Sequence, residues 1–436
     1  MLTRAGVSGP VPFANPAVAL PDPAFTNQSR NRDRYMNQPR ALDGVTVIDA
    51  SQILAGPFCT MLLADMGANV IKVEKPTGGD DTRRMGPPFI GGESAAFLQI
   101  NRNKRSIVLD IRSEDGKEAL KRLVEKSDIF IENSRPGSMT RNGLGWDDLS
   151  AINPALVYCS ISGFGLTGPY GKRAGFDLIA QGVAGLMSIN GFPGMPPLKL
   201  AVPVADLNAG MFALYGILSA YINRLKTGQG QYLETSLMEG AMAYTVWESS
   251  IFWATGETLG PVASAHRLAA PYDVLRTSDG YLNIGAANQS TWELLCRAIG
   301  RDELIDDERF KDNAARMQDV PGLEEELEKT FTAKTTAHWV ELLGEAGVPA
   351  GPVFNLEEVW SNEQVVARGM DVVLDHPAAG PVHNIGNPVK MSGTPPRQET
   401  AAPLLGEHTD EILEFAGYSA EEIAGLRASG AAGARE

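Results

Sequence analysis

The chain has 436 residues, 43% hydrophobic and 21% charged, enough for two domains with sizeable cores. Its formal net charge is −15, which sets nucleic acid aside as a partner because such binding needs a strong local basic stripe. No apolar run reaches the roughly 18 residues of a membrane span, and Cys59, Cys159 and Cys296 form no CxxC pair, so neither a membrane partner nor a disulfide framework is expected, and the setting reads as reducing and cytoplasmic.

Residues 1–40 lack the apolar stretch of a secretory signal and read as a flexible N-terminal arm. Regular structure is predicted from Leu42 onward. Val45 to Asp49 reads as a strand, Gly56 to Met66 as a helix and Asn69 to Glu74 as a second strand. That βαβ unit predicts an α/β domain with a parallel sheet. Further strands are expected at Ser106 to Asp110, Asp128 to Glu132, Leu156 to Ile161 and Gln231 to Glu234. Helices are expected at Glu114 to Lys126, Met211 to Arg224 and Leu237 to Trp253. After Gly260 an Asp279-Gly280 turn joins two short strands, and three amphipathic helices follow. The domain reading is therefore an arm at 1–40, a large α/β domain at 41–260, a small α+β domain at 261–356 and a return segment at 357–436.

Asp206 is the most informative residue. It follows a short apolar run and precedes small residues and a long apolar helix, as a carboxylate at a strand end on a cleft floor would. Asp177 reads either as the cap of the next helix or as a second carboxylate near Asp206. Gly163 to Gly168 matches GxGxxG, but Pro169 follows at once and spoils the helix a dinucleotide fingerprint needs. NAD is therefore not expected, and the glycines read as a close passage of backbone. Five histidines without metal-ligand spacing suggest no metal site, and His408 reads as a structural helix start. Lys72, Lys75, Arg83, Arg84, Arg102, Lys104, Arg105, Arg112, Arg135 and Arg141 gather on strand ends and loops, where an α/β sheet binds phosphates.

The segments Leu42 to Asp49, Ala55-Gly56-Pro57, Asp65 to Glu74, Asn103 to Ser106, Glu132-Asn133, Arg135-Pro136-Gly137, Gly163 to Tyr170, Lys226 to Gln231 and Leu404 to Thr409 stand in a distinctive order and spacing. Together they resemble the class III CoA-transferases, a family that includes formyl-CoA transferase, carnitine CoA-transferase and α-methylacyl-CoA racemase. The resemblance implies a Rossmann-like large domain, a smaller α+β domain and an interlocked homodimer. It implies coenzyme A as acyl-CoA substrate, small carboxylic acids as partners, and Asp206 as the nucleophile that forms aspartyl anhydride and aspartyl-CoA thioester intermediates. It further implies CoA contacts from Leu54, Ala55, Lys75, Leu109, Asp110, Ile111, Arg112, Asn133, Ser134, Arg135, Arg141, Ala174, Gly175, Phe176 and Asp177.

Two departures narrow the reading. The racemase branch has histidine where Phe176 stands, and phenylalanine cannot take a proton. The formyl-CoA branch has glutamine and tryptophan where Leu54 and Met85 stand, so a larger acyl group, dicarboxylic or branched, is expected. Transfer is set against two alternatives: a 2-methylacyl-CoA racemase, which Phe176 opposes, and a catalytically inactive acyl-CoA-binding protein, which Asp206 in its full motif opposes.

Overall fold

The computed structural model describes residues 38–433, so the arm at 1–40 lies almost wholly outside them. Six strands form the large sheet: β1 (Thr46–Ala50), β2 (Asn69–Glu74), β3 (Lys104–Val108), β4 (Ile129–Glu132), β5 (Val157–Ser162) and β6 (Gln231–Ser236). Every neighbouring pair is parallel, in the spatial order β3-β2-β1-β4-β5-β6. This is a doubly wound, Rossmann-like order, and it reverses direction between β1 and β4. Central strands such as β5 are buried on both faces, because helices cover both.

On one face, α1 (Ala55–Asp65) and a later 24-residue helix, Val204–Thr227, pack through Cys59, Leu63, Ala209, Ala213 and Ile217. On the other face lies α2 (Glu114–Glu125), with Leu120, Leu123 and Val124 turned inward. Next come α3 (Asp177–Val183) and the long helix itself, α4 (Val204–Thr227). Its start lies well before the predicted Met211. Gly210 looks like a breaker in sequence, but it is a crossing point. A Cβ there would meet the Ala55 carbonyl oxygen at 2.6 Å, so only glycine lets α4 lie this close to α1.

The single helix predicted from Leu237 to Trp253 is two, α5 (Leu237–Met242) and α6 (Val246–Thr255). Thr245 separates them, its hydroxyl donating to the Met242 carbonyl at 2.9 Å in place of a continued backbone ladder. Beyond them, β7 (Tyr272–Arg276), β8 (Tyr281–Gly285) and β9 (Ala350–Pro352) form a small antiparallel sheet. It shares a separate core with Trp292, Leu295, Phe310, Leu327, Phe331 and Trp339.

The C-terminal segment closes the exposed edge of the large sheet. His408 N–H donates to the Ser106 carbonyl (2.9 Å), and the His408 ring accepts from Ser106 N–H (3.2 Å). Thr409 Oγ1 accepts from Val108 N–H (3.2 Å), and Gly433 N–H donates to the Val108 carbonyl (3.1 Å). The β3 edge is thus paired rather than open. His408 is structural, as its sequence context suggests. Ile412, Leu413, Ile423 and Leu426 then join the α2 face.

Asp65 is the second tie. Its buried carboxylate accepts two bonds from Arg102 (3.0 and 2.7 Å) and single bonds from Asn103, Asn387 and Gln398. The last two residues belong to the returning chain. Asp65→Ala strands the Arg102 guanidinium in the core, a loss on the order of 3–5 kcal/mol. It should lower the thermal unfolding midpoint by several degrees in a calorimetric scan.

Candidate active site

The reversal of strand order opens a crevice past the carboxyl ends of β1 and β4. The turn that follows β1 crosses its mouth. Asn133, just past β4, clasps that turn from both sides: its Oδ1 accepts from Gln52 N–H (2.8 Å) and its Nδ2 donates to the Gln52 carbonyl (2.7 Å). Beside the turn lies a groove of about 350 Å³. Of the residues expected at a CoA site, Lys75, Leu109, Asp110, Ile111, Arg112 and Ser134 line it. Gln52, Thr77, Asp80, Ser138 and Asn142 line it as well, without having been singled out in the sequence.

The structure sorts the ten basic residues by their partners. Lys72 and Lys104 are buried on Asp49 and Asp80, Arg102 on Asp65, and Arg83 forks onto Glu74 at 2.7 Å through each of two nitrogens. These four hold the fold together. Lys75 and Arg84 both pair with exposed Asp81, and Arg105 pairs with Glu411. Arg112, Arg135 and Arg141 are exposed and have no acidic partner among the described residues. The cations left for an anionic ligand are therefore these three, together with Lys75 and Arg84, whose shared pairing with Asp81 is solvent-exposed and weak.

Burial fixes the charge states beneath the crevice. Burial would raise the Asp49 carboxyl, but Lys104 and Lys72 hold it well below the usual range. Burial pushes Lys104 down to about 8, assisted by the charge of Lys72 and opposed by Asp49. Lys72 ends above its ordinary value because Asp80 and Asp49 outweigh its burial.

Asp206 lies elsewhere than expected. It is in the first turn of α4, not at a strand end, and Val202 before it is exposed. It stands one turn before Gly210, hence one turn from the crossing with Ala55 at the start of α1. Its half-buried carboxylate contacts no hydrogen-bond donor or cation among the described residues. Burial, and then the negative charge of Asp177, push its carboxyl up to about 7.

Asp177 serves both roles foreseen for it, but caps a different helix. Its Oδ1 accepts from Ala205 N–H (2.9 Å), in the first turn of α4, and its Oδ2 accepts from Gln181 Nε2 (2.7 Å). Gln181 in turn accepts from Leu200 N–H (2.9 Å). Gln181 was missed in the sequence, although its spacing of one helical turn from Asp177 was a usable signal.

Leu54 and Ala55 sit at the uncapped start of α1, and their N–H groups have no partner among the described residues. The stretch Ala174 to Asp177 and the residues Arg135 and Arg141 do not line the groove, and Phe176 is 70% exposed. The GxGxxG stretch opens no helix. Gly163 instead packs on Gly175, where a Cβ would come within 2.6 Å of the Gly175 Cα, and this draws the approach to Asp177 against the end of β5.

Residues 42–409 match the model of CoA-transferase family III. The chain is 37% identical over 396 residues to human succinyl-CoA:glutarate CoA-transferase, covering 91% of this chain and 90% of that one. It is 38% identical over 382 residues to acetyl-CoA:oxalate CoA-transferase of Acetobacter aceti, covering 87% and 97%. The crystal structure of a CAIB/BAIF family protein from Brucella suis superposes with a TM-score of 0.79 at 38% identity, covering 87% of this chain and all of that one.

The raised Asp206 carboxyl has a sign in stability. The folded state keeps a proton that the unfolded state releases, so stability falls as pH rises from the ordinary aspartate value of 3.8 to about 7. Asp206→Asn removes that penalty. Its gain in melting temperature over the parent should be larger at about pH 8 than at about pH 5. An equal shift at both would contradict the assigned proton.

Proposed function

The chain belongs to CoA-transferase family III, and we propose that it moves CoA from an acyl-CoA donor to a small dicarboxylic acid with Asp206 as nucleophile. The observation that carries this reading is a half-buried carboxylate with no cation or donor in contact among the described residues, one helical turn from the crossing of α4 and α1. Such a group is a stronger nucleophile than a solvated carboxylate once it is ionised.

An Asp206 oxygen attacks the thioester carbonyl carbon, and CoA thiolate leaves to give a mixed anhydride. The thiolate then attacks the aspartyl carbonyl carbon, and the donor carboxylate departs, leaving an aspartyl-CoA thioester. An acceptor carboxylate attacks that carbon and expels the thiolate, forming a second anhydride. The thiolate attacks the acceptor acyl carbon, and Asp206 is regenerated. Each tetrahedral oxyanion needs donors, and the unclaimed N–H groups of Leu54 and Ala55 are suited to the task.

CoA is assigned to the groove lined by Lys75, Leu109, Asp110, Ile111, Arg112 and Ser134, its phosphates to Lys75 and Arg112. The acyl part extends toward Leu54 and Asp206. Racemisation needs a base on each face of the α-carbon, and Phe176 offers none. The two named relatives act on dicarboxylic acids. In this chain Lys199 fits the far carboxylate. It lies on the loop that Gln181 ties to α3, and among the described residues its ammonium touches only the Leu200 and Ala201 carbonyls, at 3.5 and 3.4 Å.

A homodimer is part of the proposal. Met211, Tyr215 and Leu225 on α4, with Val246, Trp247 and Trp253 on α6, are exposed, more apolar surface than a lone chain ordinarily leaves. The separate cores support a division into 41–260 with 357–436, and 261–356. Three buried, unpaired thiols suit a reducing cytoplasm, and among the described residues no helix is long and apolar enough to cross a membrane.

Three outcomes are expected from a mass-spectrometric assay with succinyl-CoA and a panel of free acids in D2O. A new thioester forms on a dicarboxylic acid without deuterium at its α-carbon, and Asp206→Ala forms none. In the parent, kcat/KM falls as pH drops below about 7, because the nucleophile takes a proton, and Asp177→Asn moves that limb downward. Lys199→Ala raises KM on the order of tenfold for dicarboxylic acceptors and leaves monocarboxylic acceptors unchanged. Deuterium incorporation without a new thioester would point to racemisation instead.

A further inference from the structure

The turn between β1 and α1 contains one residue whose backbone isoleucine does not ordinarily adopt. Ile53 has φ of +69°, in the left-handed region that excludes most β-branched side chains. Asn103 and Ala263 also have positive φ, but neither is β-branched. Ile53 is only half-buried, so packing of its side chain in a core does not account for the conformation.

Hydrogen bonds and charge hold it instead. Asp80 Oδ1 accepts from Ile53 N–H at 3.1 Å, and also from Thr82 N–H (2.9 Å) and the Thr82 hydroxyl (2.8 Å). Lys72 Nζ is 2.7 Å from Asp80 Oδ2 and donates to the Ser51 carbonyl at 3.1 Å. One buried cation thus grips the turn at Ser51 directly and at Ile53 through Asp80. Gln52, between them, is clasped by Asn133. The next residues are Leu54 and Ala55, at the crossing with the helix that carries Asp206. Strain held by surrounding structure at such a place is a mark of pre-organisation.

We propose that Asp80 is a positioning residue for CoA transfer: by holding Ile53 in its left-handed conformation it sets the place of the Leu54 and Ala55 N–H groups opposite Asp206. The proposal rests on the CoA-transferase reading and adds a residue that touches neither the acyl group nor Asp206. Asp80 works through the backbone of its neighbour, so its loss should appear in kcat more than in KM.

The test compares Asp80→Ala, Asp80→Asn and each of these combined with Ile53→Gly. Glycine adopts a positive φ without steric cost and needs no restraint to stay there. Asp80→Ala should lower kcat on the order of a hundredfold, with KM for the acyl-CoA changed less than about threefold. Asp80→Asn, which keeps an acceptor but loses the grip of Lys72, should lower kcat about tenfold. Ile53→Gly should restore a large part of either loss, and if the alanine variant does not fold, the asparagine pair carries the test alone. Absence of recovery in every background that folds overturns the proposal. Asp206→Asn is assayed beside them. Turnover by that variant overturns the nucleophile reading and this proposal with it, whereas an inactive Asp206→Asn beside an unrescued double variant overturns the positioning role alone.

Discussion

Two lysines buried between two carboxylates fix the centre of this molecule. Lys104 binds Asp49 at 3.0 Å, and Lys72 lies 2.7 Å from Asp80 and 4.0 Å from Asp49. The four side chains join β1, β2, β3 and the loop after β2 beneath the crevice. Ion pairs this deep cost desolvation, and removing any one member leaves an uncompensated charge in the core. The chain can meet that condition only with its central strands in one register. The turn after β1 inherits its position from the same charges, and with it the start of α1, on which α4 is crossed.

Asp206 has the opposite environment. A carboxylate in the first turn of a helix is ordinarily favoured by the helix N-terminus. Here burial and the charge of Asp177 outweigh that effect and raise the carboxyl to about 7. Asp49 and Asp65 are surrounded by cations and donors, whereas among the described residues Asp206 has neither. Asp177 supplies both the repulsion and the hydrogen bond that anchors α4 at Ala205, so the group that makes Asp206 costly also keeps it in place. A carboxylate half-open to solvent can be reached by a thioester, and in the proposed reaction the arriving acyl group would displace the water that hydrolyses an anhydride.

The parallel sheet was legible in the sequence because its strands are short apolar runs bounded by turn residues, and strands covered on both faces leave that trace. The start of α4 was not legible, since the apolar run before Asp206 read as a strand end and the small residues after it as a connection to a helix at Met211, whereas the close approach of α1 to Gly210 is made only by folding. The partition of the basic cluster was also hidden. Nothing local marks Arg102 as the partner of Asp65 or Lys104 as the partner of Asp49, because those contacts are made by folding. Asp206 and Asp177 could be singled out, but the bond from Ala205 N–H to Asp177 crosses between helices and has no sequence signature. The strained Ile53 has none either, since a β-branched residue argues against the conformation it takes.

The central claim is that Asp206 becomes covalently linked to CoA during turnover. The most direct measurement is peptide mass spectrometry of the enzyme quenched while it turns over succinyl-CoA in the presence of an acceptor acid. The account predicts the mass of CoA, bound as a thioester, on the peptide that carries Asp206, and its loss on brief treatment with hydroxylamine. Steady transfer with that peptide unmodified, or with CoA on another residue, would contradict it.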